Sequence, residues 1–118
     1  MERDNVILKK SFDFALQIIE FSETLEEAKK FVIAKQILKS GTSIGANVRE
    51  AQNAESRADF IHKMKVALKE AEETEYWLLL FKHSKNYPFA ENLMDTVKEM
   101  LKLLHSIVYT ANTNKKKQ

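Results

Sequence analysis

The chain contains no cysteine, which excludes disulfide frameworks, thiolate metal sites and cysteine nucleophiles. Chain breakers are nearly as scarce: 118 residues hold two glycines and one proline. A sandwich or barrel of short strands would need a turn signal about every 8–12 residues, so such folds are excluded as well. No window approaches the roughly 18 consecutive apolar residues of a membrane span. The opening MERDNVILKKSFDF carries acids and lacks a long apolar run, so no secretory signal is expected there. Charge of either sign is close to balanced, at a net +2. A soluble cytoplasmic protein is the expectation, with no membrane partner.

What remains is rich in helix formers. Apolar residues make up 44% of the chain and charged residues 31%, enough for one core and too apolar for wholesale disorder. The spacing predicts helix 1 over about Asn5–Thr24, with Ile7, Phe14, Ile18, Phe21 and Leu25 on one face. A second row beside it (Leu8, Phe12, Ala15, Ile19) makes the apolar face wider than one core contact requires. Helix 2 is expected to start near Glu26, where Glu26 and Glu27 suit the positive end of the helix dipole. Its apolar face runs through Phe31, Ala34, Leu38, Gly41, Ile44/Gly45, Val48 and Gln52. Helix 3 has a clear start: Ser56 is a good N-cap and Asp59 completes a box-like Ser-x-x-Asp. Its seam is Phe60, Met64, Ala67, Ala71, Thr74, Leu78 and Phe81. Pro88 fits the first position of helix 4, whose seam is Leu93, Val97, Met100, Leu104, Ile107 and Ala111, with Met94, Leu101 and Val108 beside it. Four helices of similar length with short connections predict an all-α fold, an antiparallel up-down-up-down four-helix bundle. The expected organisation is a single domain over residues 1–111 and a disordered basic tail over 112–118.

Both glycines fall in one segment, SGTSIGANVREAQ. A phosphate-binding loop would need a preceding strand and a lysine after the second glycine, and Ala46-Asn47 follow Gly45 instead. Gly41 and Gly45 are one helical turn apart, with Ala46 beside them. The expectation is that helix 2 continues through this segment as a close-packing ridge, which either admits another helix backbone or gives a bulky side chain a slot. A kink at Gly41 is the alternative.

Candidate chemistry is sparse. Carboxylate di-iron bundles need two Glu-x-x-His motifs and two further glutamates, and the nearest match is one Asp59-x-x-His62. His83 and His105 stand apart from it. The run Glu70, Glu72, Glu73, Glu75 reads as a solvated face, with Lys69 and Glu73 placed for an i,i+4 pair. Ser43 and Ser56 have no evident histidine and acid partners. Arg49 is expected to bridge to a neighbouring helix or subunit, with phosphate contact as its sharper alternative. No catalytic residue, cofactor or metal is expected.

Charge is unevenly placed along the predicted bundle. Antiparallel packing would gather residues 1–11, 40–55, 56–69 and 100–118 at one end, with a net charge of +7, against −5 at the other. Lys9, Lys10, Arg57, Lys63, Lys65, Lys69 and Lys102 are the candidate phosphate contacts at the basic end. The alternative is that this polarity serves solubility or subunit orientation.

Two stretches, SFDFALQII (Ser11 to Ile19) and LKSGTSIGANVREAQNAESRADFIHKMKVALKEAEETEYWLLL (Leu38 to Leu80), closely resemble the bacterial 23S rRNA-intervening-sequence proteins. The resemblance covers nearly the whole chain, and the last helix matches mainly in length and pattern. It implies a four-helix bundle that assembles with itself into a homopentamer. A related branch serves as the accessory subunit of reverse transcriptases in diversity-generating retroelements. That branch implies contact with RNA or DNA and with a larger nucleic-acid enzyme. The family offers no catalytic motif to carry over. The expected function is a non-enzymatic oligomeric accessory or scaffold protein associated with nucleic acid. The alternative is a purely structural oligomer without nucleic-acid binding.

Overall fold

The computed structural model describes residues 2–117, with side chains for residues 5–114. Four helices follow one another: α1 (Glu2–Glu27), α2 (Phe31–Ala51), α3 (Arg57–His83) and α4 (Glu91–Lys117). Each packs against its chain neighbours, and α4 closes the ring against α1. Pairs of contacts fix the directions. Ile18 meets Gly41 and Ser11 meets Gly45, so α1 and α2 are antiparallel. Ser40 meets Thr74 and Glu50 meets Lys63, so α2 and α3 are too. Gln17 and Thr96 share one cleft while Thr24 and Ala90 share another, which sets α4 antiparallel to α1. The fold is the expected antiparallel four-helix bundle.

The core is the set of stripes that faces inward on all four helices. Ile7, Phe14, Ile18, Phe21 and Leu25 of α1 are all buried, as are Met64, Ala67, Ala71, Thr74, Leu78 and Phe81 of α3. α2 buries Ile37, Ser40 and Ala51 together with Ala34, Gly41, Ile44 and Val48. The core-facing stripe of α2 is thus turned away from the expected line, and its two ends, Phe31 and Gln52, are exposed. The buried hydroxyls are satisfied locally. Ser40 and Thr74 lie 2.9 Å apart, and Thr74 Oγ1 is 2.8 Å from the Glu70 carbonyl. Ser40 Oγ is also 3.5 Å from the Ile37 carbonyl, so each hydroxyl proton has an acceptor within reach.

The α1–α2 boundary differs from the expectation. Glu26 and Glu27 close α1 instead of opening α2. Lys29 adopts a left-handed conformation (φ 64°), its N–H donates to the Glu26 carbonyl at 2.8 Å, and the Lys30 N–H donates to Leu25 at 2.8 Å. That pair of bonds is the Schellman stop, here with lysine in the place glycine usually takes. Pro88 likewise lies outside α4, which starts at Glu91. The segment 84–90 instead carries aromatic side chains across one end of the bundle. Tyr87 stacks on Phe81 at 5.5 Å between ring centroids, and Lys82 lies over Phe89. The Ser56 cap forms as expected: its hydroxyl accepts from the Asp59 N–H at 3.1 Å, and the Asp59 carboxylate accepts from the Glu55 N–H at 3.2 Å. α4 runs on through residues 112–117, which contain neither glycine nor proline to stop it. The side chains of Lys115, Lys116 and Lys117 lie outside the described residues.

Candidate nucleic-acid interface and assembly face

The seven candidate cations divide into two groups. Lys9 pairs with Asp13 at 2.9 Å, Lys10 with Glu99 at 2.8 Å, and Lys63 with Glu50 at 3.0 Å. The hydrogen bonds that Lys9 and Lys63 donate to Asp13 and Glu50, helped by the carboxylate charge, raise the pKa of both lysines. Lys10 in turn lowers that of Glu99 by hydrogen bond and charge, with Lys102 adding a weaker attraction. Asp13 and Glu99 belong by position to the acidic end, yet they pair with lysines of the basic end, so the axial polarity is partly neutralised on α1. Arg57, Lys65, Lys69 and Lys102 are exposed, and none makes an ion pair among the described residues. All four belong to α3 and α4.

Helical phase explains this division. On α3, Lys65 and Lys69 are one turn apart and point away from the buried row Ile61, Met64, Ala67, Ala71. On α4, Lys98, Lys102 and Tyr109 share a row on the solvent side, with His105 beside it; Tyr109 is 73% exposed. Lys98 and Tyr109 were not among the expected site residues. Spacings of four and seven residues from Lys102 put both on its face, which a net charge summed by height along the bundle does not distinguish.

The second feature is apolar. Phe12, Leu16 and Ile19 form an i, i+4, i+7 row on α1 with 43–52% exposure. Leu8, Phe12 and Ala15 continue it into the outer groove against Thr42, Gly45, Ala46 and Arg49 of α2, which leaves a gap of about 150 Å³. The small residues make this groove. A Cβ on Gly41 would lie 2.8 Å from Ile18 Cγ2, and one on Gly45 would lie 3.2 Å from the Ser11 carbonyl oxygen. Gly41 therefore provides a slot for a side chain, and Gly45 admits the α1 backbone. Ala46 is exposed on the outer rim. α2 passes through both glycines as one helix, with no kink separating it into two. Thr42 and Asn47 turn donors back onto the Leu38 and Ser43 carbonyls at 2.7 and 2.9 Å.

The expected outer stripe on α4 is absent. Met94 is buried in the core, and Leu101 and Val108 are half-buried against it, because the inward face of α4 is broad enough to take both rows. The further exposed apolar side chains are Val6 near the start of α1, Tyr76, Leu79 and Leu80 on α3, and Phe31 and Val32 at the start of α2. The Lys69–Glu73 pair is not formed either: Glu73 accepts from Trp77 Nε1 at 3.1 Å. Arg49 makes no ion pair among the described residues and lies in the last turn of α2, where the helix dipole favours a cation. Burial, then the neighbouring Glu73, raises the pKa of Glu70. Among the described residues no cluster of histidine and carboxylate side chains could hold a metal, and no helix is long and apolar enough to cross a membrane.

The fold and these surfaces define a class: a small antiparallel four-helix bundle with an exposed apolar row on its first helix. The chain matches the model of the family described as 23S rRNA-intervening sequence protein over residues 3–106, and it belongs to that family. A crystal structure of a protein with unknown function from the S23 ribosomal protein family of Bacteroides thetaiotaomicron is 49% identical to it. The similarity covers 91% of this chain and 98% of that one, with a TM-score of 0.84. No curated protein matches the chain. The family and this structural neighbour are both of unknown function.

Proposed function

We propose that this protein is a non-enzymatic cytoplasmic scaffold that assembles with itself through the α1 face and associates with RNA or DNA, beside a larger nucleic-acid enzyme. The row Phe12, Leu16, Ile19 carries the reading. Three large apolar side chains in register on one helix, about half exposed and continuous with a groove, are what a soluble bundle covers by association. The pentameric subunit number follows from the resemblance to the family. The nucleic-acid part rests on the four unpaired cations of α3 and α4. Light scattering is expected to give a multiple of the 13.7 kDa chain mass, and Leu16→Glu to give a folded monomer. A wild-type monomer at micromolar concentration would refute the assembly.

A second reading, an oligomer with no nucleic-acid role, is favoured by the ion pairs that occupy Lys9, Lys10 and Lys63. A titration with labelled RNA and DNA at low salt separates the two. Binding that weakens steeply as salt rises supports association with nucleic acid.

A further inference from the structure

The outer groove between α1 and α2 has two unlike sides. Over residues 8–19 of α1 the charged side chains Lys9, Lys10 and Asp13 are all held in ion pairs, which leaves the apolar row. Residues 31–49 of α2 contain Lys35, Lys39 and Arg49 and no acid, and none of the three makes an ion pair among the described residues. Arg49 lines the groove with Thr42 and Ala46. Lys35 and Lys39 precede Thr42 and Ala46 by seven residues, so they extend the same two rows. The groove is therefore apolar along α1 and cationic along α2, with Glu20 and Glu23 beyond Ile19.

The complementary pattern stands on α3. Tyr76, Leu79 and Leu80 are 56, 45 and 38% exposed. Glu72 and Glu73 precede Leu79 and Leu80 by seven residues and extend their rows. Residues 70–81 contain four acids and no base. Lys39 attracts Glu70 within the bundle, and Lys98 and Lys102 of α4 lie level with this stretch, but none of them forms an ion pair with it among the described residues. The Tyr76 ring lies 5.8 Å from that of Trp77, whose Nε1 is held by Glu73, so it is braced. α1 and α3 each pack on α2 and α4 and not on each other, so the two faces look in opposite directions.

We infer that the Tyr76–Leu80 face of α3 in one copy of the chain fills the α1/α2 groove of the next. This pairing rests on the self-assembly through α1 proposed above and names the surface that covers the row. Apolar side chains meet apolar side chains, and the acids of α3 meet the cations of α2. The gap of about 150 Å³ beside Ala46 has the volume of a cavity that accepts one benzene ring, and Tyr76 is the ring that the α3 face presents. A two-fold pair cannot satisfy both faces, because they lie on opposite sides of the bundle. Copies therefore join head to tail, and the series ends only when it closes on itself. Arg57 and Lys65, in the first third of α3, stay outside this contact.

The chain has no cysteine, so introduced cysteines can be cross-linked selectively. Ala46→Cys marks the groove and Leu79→Cys marks the α3 face, both at exposed positions. Treated with a short bismaleimide, each variant alone should run as a single chain on a denaturing gel. A mixture of the two, after subunit exchange, should give a two-chain product. Tyr76→Ser/Leu80→Ser should need roughly ten- to hundred-fold more protein to assemble, by light scattering, with an unchanged circular dichroism spectrum. A two-chain product from Ala46→Cys alone would mean that grooves meet each other, which overturns the pairing. Wild-type assembly of the Tyr76→Ser/Leu80→Ser protein, or an unlinked mixture of assembled cysteine variants, overturns it as well. In each of these cases self-assembly through α1 still stands. A wild-type chain that stays monomeric at micromolar concentration overturns both.

Discussion

At the scale of single residues, the two glycines do different work although they occupy the same face of α2. A methyl group at Gly41 would meet the branch carbons of Ile18, which are fully buried and have nowhere to retreat. At Gly45 it would meet the Ser11 carbonyl at 3.2 Å, a few tenths of an ångström too close, at a position that is only half-buried. Replacing a helical glycine by alanine gains about 1 kcal/mol of propensity. Overpacking a filled site costs about 1–3 kcal/mol. Gly41→Ala is therefore expected to lose stability by about 1 kcal/mol or more, and Gly45→Ala to remain within about 1 kcal/mol of wild type. Urea denaturation of the two variants measures both. A Gly41→Ala protein as stable as wild type would show that Ile18 can move aside and that the slot is not required. Gly45→Leu, too large for the gap beside Ser11, should disturb folding or assembly.

At the scale of elements, the periodic parts of the helices were legible and the stops were not. The inward rows of α1 and α3 follow from spacing, except at the start of α3, where Ile61 is buried and the expected Phe60 is half-buried. The Ser56 cap was legible because its chemistry is local. The end of α1 was not. Leu25 and the two glutamates after it continue a helical pattern, and the chain turns at Lys29, a residue with no preference for turning. Asn86, the second residue with a left-handed backbone (φ 66°), is of a type that tolerates it. Lysine in that conformation costs about 1–2 kcal/mol, and its exposed side chain makes no ion pair among the described residues that would offset this. Lys29→Gly should therefore stabilise the protein by about 1 kcal/mol, less what glycine loses through its freer unfolded state. The denaturation midpoint should rise with an unchanged slope. A lower midpoint would mean that lysine contributes something its surroundings do not show. Pro88 misled for a related reason: the residues after it, Phe89 and Ala90, were read as a first helical turn but pack across the end of the bundle. Among the candidate site residues, types and helices were legible in the sequence. Which lysines are held by carboxylates depends on partners far along the chain, as with Lys10 and Glu99 or Lys63 and Glu50, and no local pattern announces that.

At the scale of the whole molecule, the bundle is about 23 × 21 Å across, so its opposite faces are separate surfaces. The apolar row lies on α1, and the cationic rows lie on α3 and α4. Such segregation lets one face be covered by neighbouring copies while another stays open. It also makes assembly and fold stability separable in experiment. Leu16 is half exposed on the single bundle, so a charge there should cost an isolated chain little. In the assembly it would be buried opposite another apolar surface, and the same charge would be unpaired and desolvated. If folding and assembly are linked, mass action makes the wild-type thermal midpoint rise with protein concentration. Leu16→Glu should remove that dependence and melt near the wild-type value at high dilution, because what remains is the same bundle core. A concentration-independent midpoint in the wild type, together with a monomeric mass, would mean that the α1 face is not an assembly surface. A Leu16→Glu protein that melts far below the dilute wild type would place Leu16 in the fold itself. Only a flat midpoint in the variant and a rising one in the wild type fits a bundle that is complete alone and covered in company.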